Sequence, residues 1–212
     1  MAYIDISVGI KNGMLVWPGD KEVEVVWDGR IEQGHESNVS YLRMGAHVGT
    51  HLDMPLHFIP NGKNIESLDL ECLIGPAAVV EVPEEQETIT AEFLEKTGLD
   101  TCERVLFKTR NSKLWEAENP IFDENYVALD SSGARWLVEK GCRLVGIDAM
   151  SIARFKEIRA PHEILLSNDV VVLETLDLRA VSPGQYELLC LPLKLFEREA
   201  APVRAILKPL DK

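Results

Sequence analysis

No run of apolar residues in this sequence approaches the length of about 20 that a membrane-spanning helix needs. The opening residues, Met-Ala-Tyr-Ile-Asp-Ile, lack the basic start and apolar core of a signal peptide, so a cytoplasmic protein is expected. Basic side chains are few: 22 Lys and Arg stand against 35 Asp and Glu, a net charge of −13. Such a surface repels phosphate backbones and anionic lipid headgroups, which argues against nucleic acid and membrane as partners. An anionic small substrate stays open, because a bound metal can reverse the field locally. Cysteine is limited to Cys72, Cys102, Cys142 and Cys190, with no CxxC pair. Reduced thiols, mostly in the core, are expected rather than disulfides or a zinc knuckle. There is no Gly-x-Ser-x-Gly elbow, and no cysteine falls within the histidine-rich stretch, so a serine or cysteine nucleophile fits poorly. Ser131 and Ser151 read as turn or cap residues. Repeats, low-complexity tracts and Pro/Gly/Ser linkers are absent too, and residues 1–212 are expected to form a single domain.

What is present is the make-up of an ordinary globular protein, 46% hydrophobic and 27% charged, long enough for one well-buried core. Tyr3–Val8 alternates apolar and polar residues like a strand, and Val23–Trp27 and Val39–Met44 do so more roughly. Ala77–Val82, Val105–Thr109, Leu144–Ile147, Val170–Leu173, Leu188–Leu191 and Arg204–Leu207 also read as strands. Helices are expected at Ala91–Lys96 after the N-cap Thr90, and at Ser132–Lys140 between Asp130-Ser131 and Gly141. A third, His162–Leu166, follows Pro161. Many strands with few helices predict an α/β domain: a mixed, mostly buried sheet with a few flanking helices.

Histidine is also scarce, with five in the chain, yet three fall in His47-Val-Gly-Thr-His51-Leu-Asp53-Met-Pro-Leu-His57. A packed core does not ask for such crowding, since every buried imidazole needs a hydrogen-bond partner. Two imidazoles and a carboxylate form the three-ligand set of catalytic zinc sites, with a position left for water. Gly49 permits a tight turn between His47 and His51. His51 and Asp53, two apart, share one side of an extended segment. Pro55 disfavours a helix through this stretch and suits a rigid loop. The nitrogen and oxygen ligands fit zinc or manganese. Farther on, His162 and Glu174 are separated by the Ser167-Asn168-Asp169 turn, which could bring them to one sheet edge. They would then be candidates for a second ion, bridged by Asp53 and Glu174, as two-metal sites about 3.5–4 Å apart permit.

The stretch His47–Phe58 resembles the HxGTHxDxPxHF signature of the cyclase family of metal-dependent hydrolases. The resemblance extends to Trp17-Pro18-Gly19-Asp20, to Asn38-Val39-Ser40, to Leu68–Val80 around Ile74-Gly75-Pro76-Ala77, to Gly146-Ile147-Asp148 with Ser151, and to His162 with Glu174. It implies that His47, His51, Asp53 and Glu174 hold one metal, and that Asp53, His162 and Glu174 hold a second. It further implies that His57 donates and accepts the proton, that Trp17 contacts an aromatic substrate, and that the chain is a homodimer or homotetramer. A tryptophan beside a Pro-Gly turn equally suits a core position. Val48 and Met54 stand where formamidases of this family commonly have threonine and a small residue, so a larger side chain is expected beside the site.

The resemblance implies hydrolysis of an aryl formamide such as N-formylkynurenine, in tryptophan catabolism. A divalent ion, zinc before manganese, would lower the pKa of its water from about 15.7 to about 7, and His57 would shuttle the proton. One rival is hydrolysis of isatin or another cyclic amide. A rival of another class is a non-catalytic metal-binding or ligand-binding module whose histidines only fix a loop.

Overall fold

The computed structural model describes residues 2–99 and 103–210. Among the described residues twelve strands are formed: β1 (Ile4–Asp5), β2 (Glu24–Gly29), β3 (Val39–Arg43), β4 (His51–Asp53), β5 (Ile74–Glu81), β6 (Thr88–Ile89), β7 (Arg104–Lys108), β8 (Ala128–Leu129), β9 (Leu144–Ile147), β10 (Val171–Glu174), β11 (Gly184–Pro192) and β12 (Ala200–Pro209). The α-helices are α1 (Ala91–Glu95), α2 (Ser131–Glu139) and α3 (Arg159–Ser167). The main sheet runs β1-β12-β11-β5-β7-β9-β10-β4, and β4 pairs again with β12. The sheet therefore closes on itself as a barrel, which local alternation does not announce. β5, β7, β9 and β10 run parallel, and the remaining pairs are antiparallel.

Closure removes sheet edges and divides the core in two. Inside the barrel lie Leu52, Ala77, Val79, Leu106, Leu173, Leu188 and Leu207, among others. Outside, Val105, Phe107, Val145, Ile147 and Val172 meet Leu137 of α2 and Leu165 of α3. The parallel strands are thus buried on both faces, and so they read in sequence as apolar runs rather than alternations. Gly146 points into the barrel; a Cβ there would lie 2.5 Å from Leu106 Cδ2, so the position has room for no side chain. The helix ends are set as the sequence suggests. Thr90 Oγ1 accepts from the Phe93 N–H, and Asp130 accepts from those of Ser132 and Gly133. Gly141 takes φ +78° just past α2.

Several elements differ from expectation. Pro55 does not exclude helix: Pro55–His57 forms one 3-10 turn with the proline at its start, where its missing N–H costs nothing. α3 begins at Arg159, so Pro161 sits within its first turn. β11 and β12 extend well beyond Leu188–Leu191 and Arg204–Leu207. β10 runs one residue later than Val170–Leu173 and carries Glu174 itself. β6 and β8, two residues each, pair with one another and leave no periodic signal. The β2–β3 hairpin stands apart from the barrel, with every residue of β3 exposed. Cys72 and Cys190 are buried free thiols, and Cys142 is buried as well. Cys102 lies outside the described residues.

Candidate metal centre

β4 sets the site. Leu52 faces into the barrel, so by the period of two His51 and Asp53 face outward, beneath α3. β10 pairs antiparallel with β4 in a register that puts Glu174 opposite His51 and Val172 opposite Asp53. Directly opposed residues share a face with Cβ atoms about 4.5–5.5 Å apart, so pairing alone delivers the Glu174 carboxylate to His51. α3 covers that face and contributes His162. Gly49, at φ +65°, makes the left-handed turn that carries His47 back to the same place.

The four elements bring together two overlapping groups, His47–His51–Asp53 and Asp53–His162–Glu174. Within each group the ligand atoms lie no more than 4.8 Å apart. His47 Nδ1 is 2.9 Å from Asp53 Oδ1, and His51 Nε2 is 3.5 Å from Asp53 Oδ1 and 3.3 Å from Glu174 Oε2. His162 Nε2 is 3.0 Å from Glu174 Oε1 and 3.7 Å from Asp53 Oδ2. His51, Asp53, His162 and Glu174 are at most 4% exposed. His57 stands at the rim, its Nε2 4.0 Å from Asp53 Oδ2 and its ring 4.1 Å from that of His47.

Whether a cation fits is answered by the polar atoms left over. Asp53 Oδ1, Asp53 Oδ2 and His51 Nε2 are buried without a hydrogen-bond partner. Each such group costs about 1–3 kcal/mol, and more if charged. Oδ1 faces His47 and His51 while Oδ2 faces His162, so one or two divalent ions held between these groups would satisfy them. The backbone fixes which ring nitrogens face inward. His51 Nδ1 donates to the Gly49 carbonyl at 2.9 Å, and His162 Nδ1 donates to that of Ile158 at 2.6 Å. Both Nε2 atoms are thereby aimed at the cluster, the arrangement that metal-ligating histidines use. The Ile152 N–H donates to Glu174 Oε1 at 2.7 Å and holds that carboxylate in place.

Electrostatics follow the same pattern. Burial works to lower the pKa of His47, but the carboxylates of Asp53, Glu174 and Glu199 outweigh it and raise the group to about 9. Burial also opposes charge on His162, and its hydrogen bond to Glu174 wins, so its pKa is raised. For Asp53, burial and the Glu174 charge push upward, yet contacts with His47 and His51 bring it below the usual carboxylate range. Glu174 is lowered too, against burial, by the hydrogen bond from His162 and the close imidazole of His51. Protons on His47 and His162 offset the buried carboxylates, and a divalent cation held here would take their place. His57 behaves oppositely: burial lowers its pKa, and the neighbouring His47 and His162 add to that against Asp53 and Glu174.

A second layer escaped sequence reasoning. Glu199, just before β12, places Oε1 3.3 Å from His47 Nε2; the β12–β4 pairing brings it there. Ser151 turns the chain, as expected, and also lines the pocket. Met54, expected beside the site, is 4% exposed and packs inside the barrel. Trp17 does reach the pocket, a cavity of about 270 Å³ that Asp20, the four histidines, Phe58, Met150 and Glu174 also line. Thr50, between the two motif histidines, is a clamp. Its hydroxyl donates to the Thr175 carbonyl at 2.6 Å and accepts the Val8 N–H at 2.8 Å. Thr175 has φ +61°, a strained setting for a β-branched residue, directly after Glu174. Thr50→Val keeps the shape and leaves both partners unsatisfied. It is expected to lower Tm by roughly 4–12 °C and to weaken metal affinity by about 10–100-fold, while Thr50→Ser stays near wild type. Calorimetry with and without zinc measures both effects.

Buried imidazoles and carboxylates arranged around unsatisfied ligand atoms, at the foot of an open pocket, define a metal-dependent hydrolase centre. The chain belongs to the Cyclase family, whose sequence model, described as "Putative cyclase", matches residues 4–154. It is 39% identical to a kynurenine formamidase of Salinibacter ruber over 98% of both chains, and 37% identical to that of Bacillus thuringiensis subsp. konkukian over the same shares. Among solved structures it superposes on a potential metal-dependent hydrolase with cyclase activity with TM-score 0.84 and 31% identity, covering 97% of this chain and 96% of the other. An isatin hydrolase bound to the product analogue thioisatinate shares the fold, with TM-score 0.81 at 20% identity over 98% and 92% of the chains.

Proposed function

We propose that this protein is an arylformamidase, a metal-dependent amide hydrolase acting on N-formylkynurenine, with its whole length working as one domain. The observation that carries the chemistry is the set of three buried, unpartnered ligand atoms on His51 and Asp53. The substrate rests on the similarity to kynurenine formamidases over nearly the whole chain. His47, His51, Asp53, His162 and Glu174 would hold one or two divalent ions, zinc before manganese, both of which suit nitrogen and oxygen ligands. A divalent ion held there supplies an acidified water and a polarised carbonyl. The chain's own residues do the rest. His57, neutral at pH 7, accepts a proton at Nε2 and returns it to the leaving nitrogen. Trp17 presents an aromatic face to the aryl group. Phe58, stacked on His162 at 4.5 Å, helps fix that imidazole and lines the pocket beside it.

Zinc-loaded and manganese-loaded protein tested on N-formylkynurenine, formanilide and isatin separates the readings. Preference for the open-chain formamides supports this one. Preference for isatin would make it a cyclic-amide hydrolase, and metal uptake without turnover would leave only a binding module.

A homodimer or homotetramer is part of the same proposal. The β2–β3 hairpin exposes apolar side chains on both of its faces, Tyr41 (54%) with Val26 on one and Trp27 (57%) with Leu42 on the other. A two-stranded hairpin is marginal in water without such a face being covered. Its two ends run back to Asp20 and His47 at the pocket. Sedimentation equilibrium is expected to give a multiple of the chain mass, and Trp27→Glu with Tyr41→Glu to shift it to monomer. A monomeric wild type overturns this part.

A further inference from the structure

The metal pocket, at about 270 Å³, is small for a site that must bury a whole substrate, since ligand sites commonly measure about 300–1,000 Å³. A second cavity of about 500 Å³ lies next to it. Met150 lines both, one unbranched side chain standing between the two spaces. Trp17, in the metal pocket, meets the wall of the second cavity edge-on, with ring centroids 5.2 Å from Phe122 and 6.5 Å from Tyr126.

The wall of this second space says what it would take. Most of its polar side chains already have partners. The Arg110 guanidinium donates to the carbonyls of Glu84, Gln86 and Asn125. The Asn111 amide pairs with both backbone groups of Val127, and Lys113 is ion-paired to Glu84. The Tyr126 hydroxyl donates to the Ala153 carbonyl at 2.7 Å, leaving its ring as surface. Leu114, Phe122, Ala149 and Met150 make up much of the remainder. An occupant here gains apolar contact and finds little free charge to bind.

We infer that the cavity beyond Met150 is a second substrate subsite, which takes an apolar alkyl or aryl group carried on the ring of the amide. The inference rests on the amide-hydrolase reading above and adds to it a class of substrate. Met150 is its partition and Leu114 part of its floor. Methionine suits the partition, being flexible and free to move aside for a larger group.

The test compares kcat/KM for 4-butylformanilide and formanilide in zinc-loaded protein. The wild-type ratio is expected to be about tenfold or more, since each methylene in an apolar pocket adds measurably to discrimination. Leu114→Trp, which fills the cavity, is expected to bring the ratio close to one. Met150→Ala, which widens the passage, is expected to raise the ratio for the bulkier 4-phenylformanilide about tenfold. In parallel, calorimetry with 4-butylaniline is expected to show binding about tenfold weaker in Leu114→Trp than in wild type. If formanilide itself is not hydrolysed, the amide-hydrolase reading fails and the calorimetry still decides the subsite. Ratios and affinities that both variants leave unchanged overturn the inference. Thermal unfolding of each variant establishes that it is folded.

Discussion

Asp53→Asn is expected to leave the purified protein nearly free of metal and to lower kcat/KM on the order of a thousandfold or more. Asp53 is the one residue common to both ligand groups. Its two oxygens face different partners: Oδ1 approaches His47 and His51, while Oδ2 approaches His162 and His57. Losing an outer partner of a metal ligand costs about 10–100-fold in affinity. Losing a carboxylate that serves both groups must exceed that, because the amide is neutral and offers only one oxygen. Fully buried at 0% exposure, it has no water to compensate. Elemental analysis and kcat/KM on the same preparation provide the check. Wild-type metal content in Asp53→Asn would show that the metal is held without the Asp53 carboxylate and that Asp53 is not the ligand common to both groups.

The heart of this centre is legible in sequence because it is local. Residues 47–53 are bound by a short stretch of chain, so Gly49, the period of two and the ligand types suffice to bring three side chains together. His162 and Glu174 are different. Their residue types say little alone: the turn between them and the nearby cluster make them candidates, and only the resemblance to a family implies their roles as ligands. What places them physically is the Glu174–His51 register of β10 on β4 and the seating of α3, both long-range. Glu199 depended on β4 pairing with β12 as well, and nothing within either strand signals that second pairing. β4 is three residues long, too short for alternation to stand out.

The same reasoning explains where the strands were read well. β7, β9 and β10 are covered inside by barrel residues and outside by helices, so unbroken apolar runs mark them clearly. β2 and β3 alternate poorly because the hairpin has no buried face to impose a period: all of β3 is exposed. A ragged pattern in a segment that is nonetheless stranded is thus a sign of a surface awaiting cover. Met54 shows the converse limit. Its place in the motif suggested the pocket, whereas one step along an extended chain reverses the side, so the residue after Asp53 enters the barrel core instead.

His57→Ala is expected to lower turnover about 10²–10⁴-fold, the usual worth of a placed acid–base group, with metal content close to wild type. His57 is absent from both ligand groups and is 29% exposed in its side chain, where Asp53 is fully buried. It sits close enough to His47 to feel the cluster and open enough to meet a substrate. Its pKa is held below the ordinary 6.5, by burial first and by His47 and His162 next. A bound cation pushes in the same direction. The imidazole is therefore neutral at pH 7 and free to take a proton, and it loses that capacity only as pH falls through a value under 6.5. In wild type, kcat/KM should accordingly decline on the acid side with a midpoint below 6.5, and His57→Ala should lack that limb while keeping KM. A merely structural histidine would change Tm and leave the shape of the pH profile alone. If His57→Ala loses as much metal as Asp53→Asn, His57 is a ligand, and the proton must travel by another group at the pocket rim.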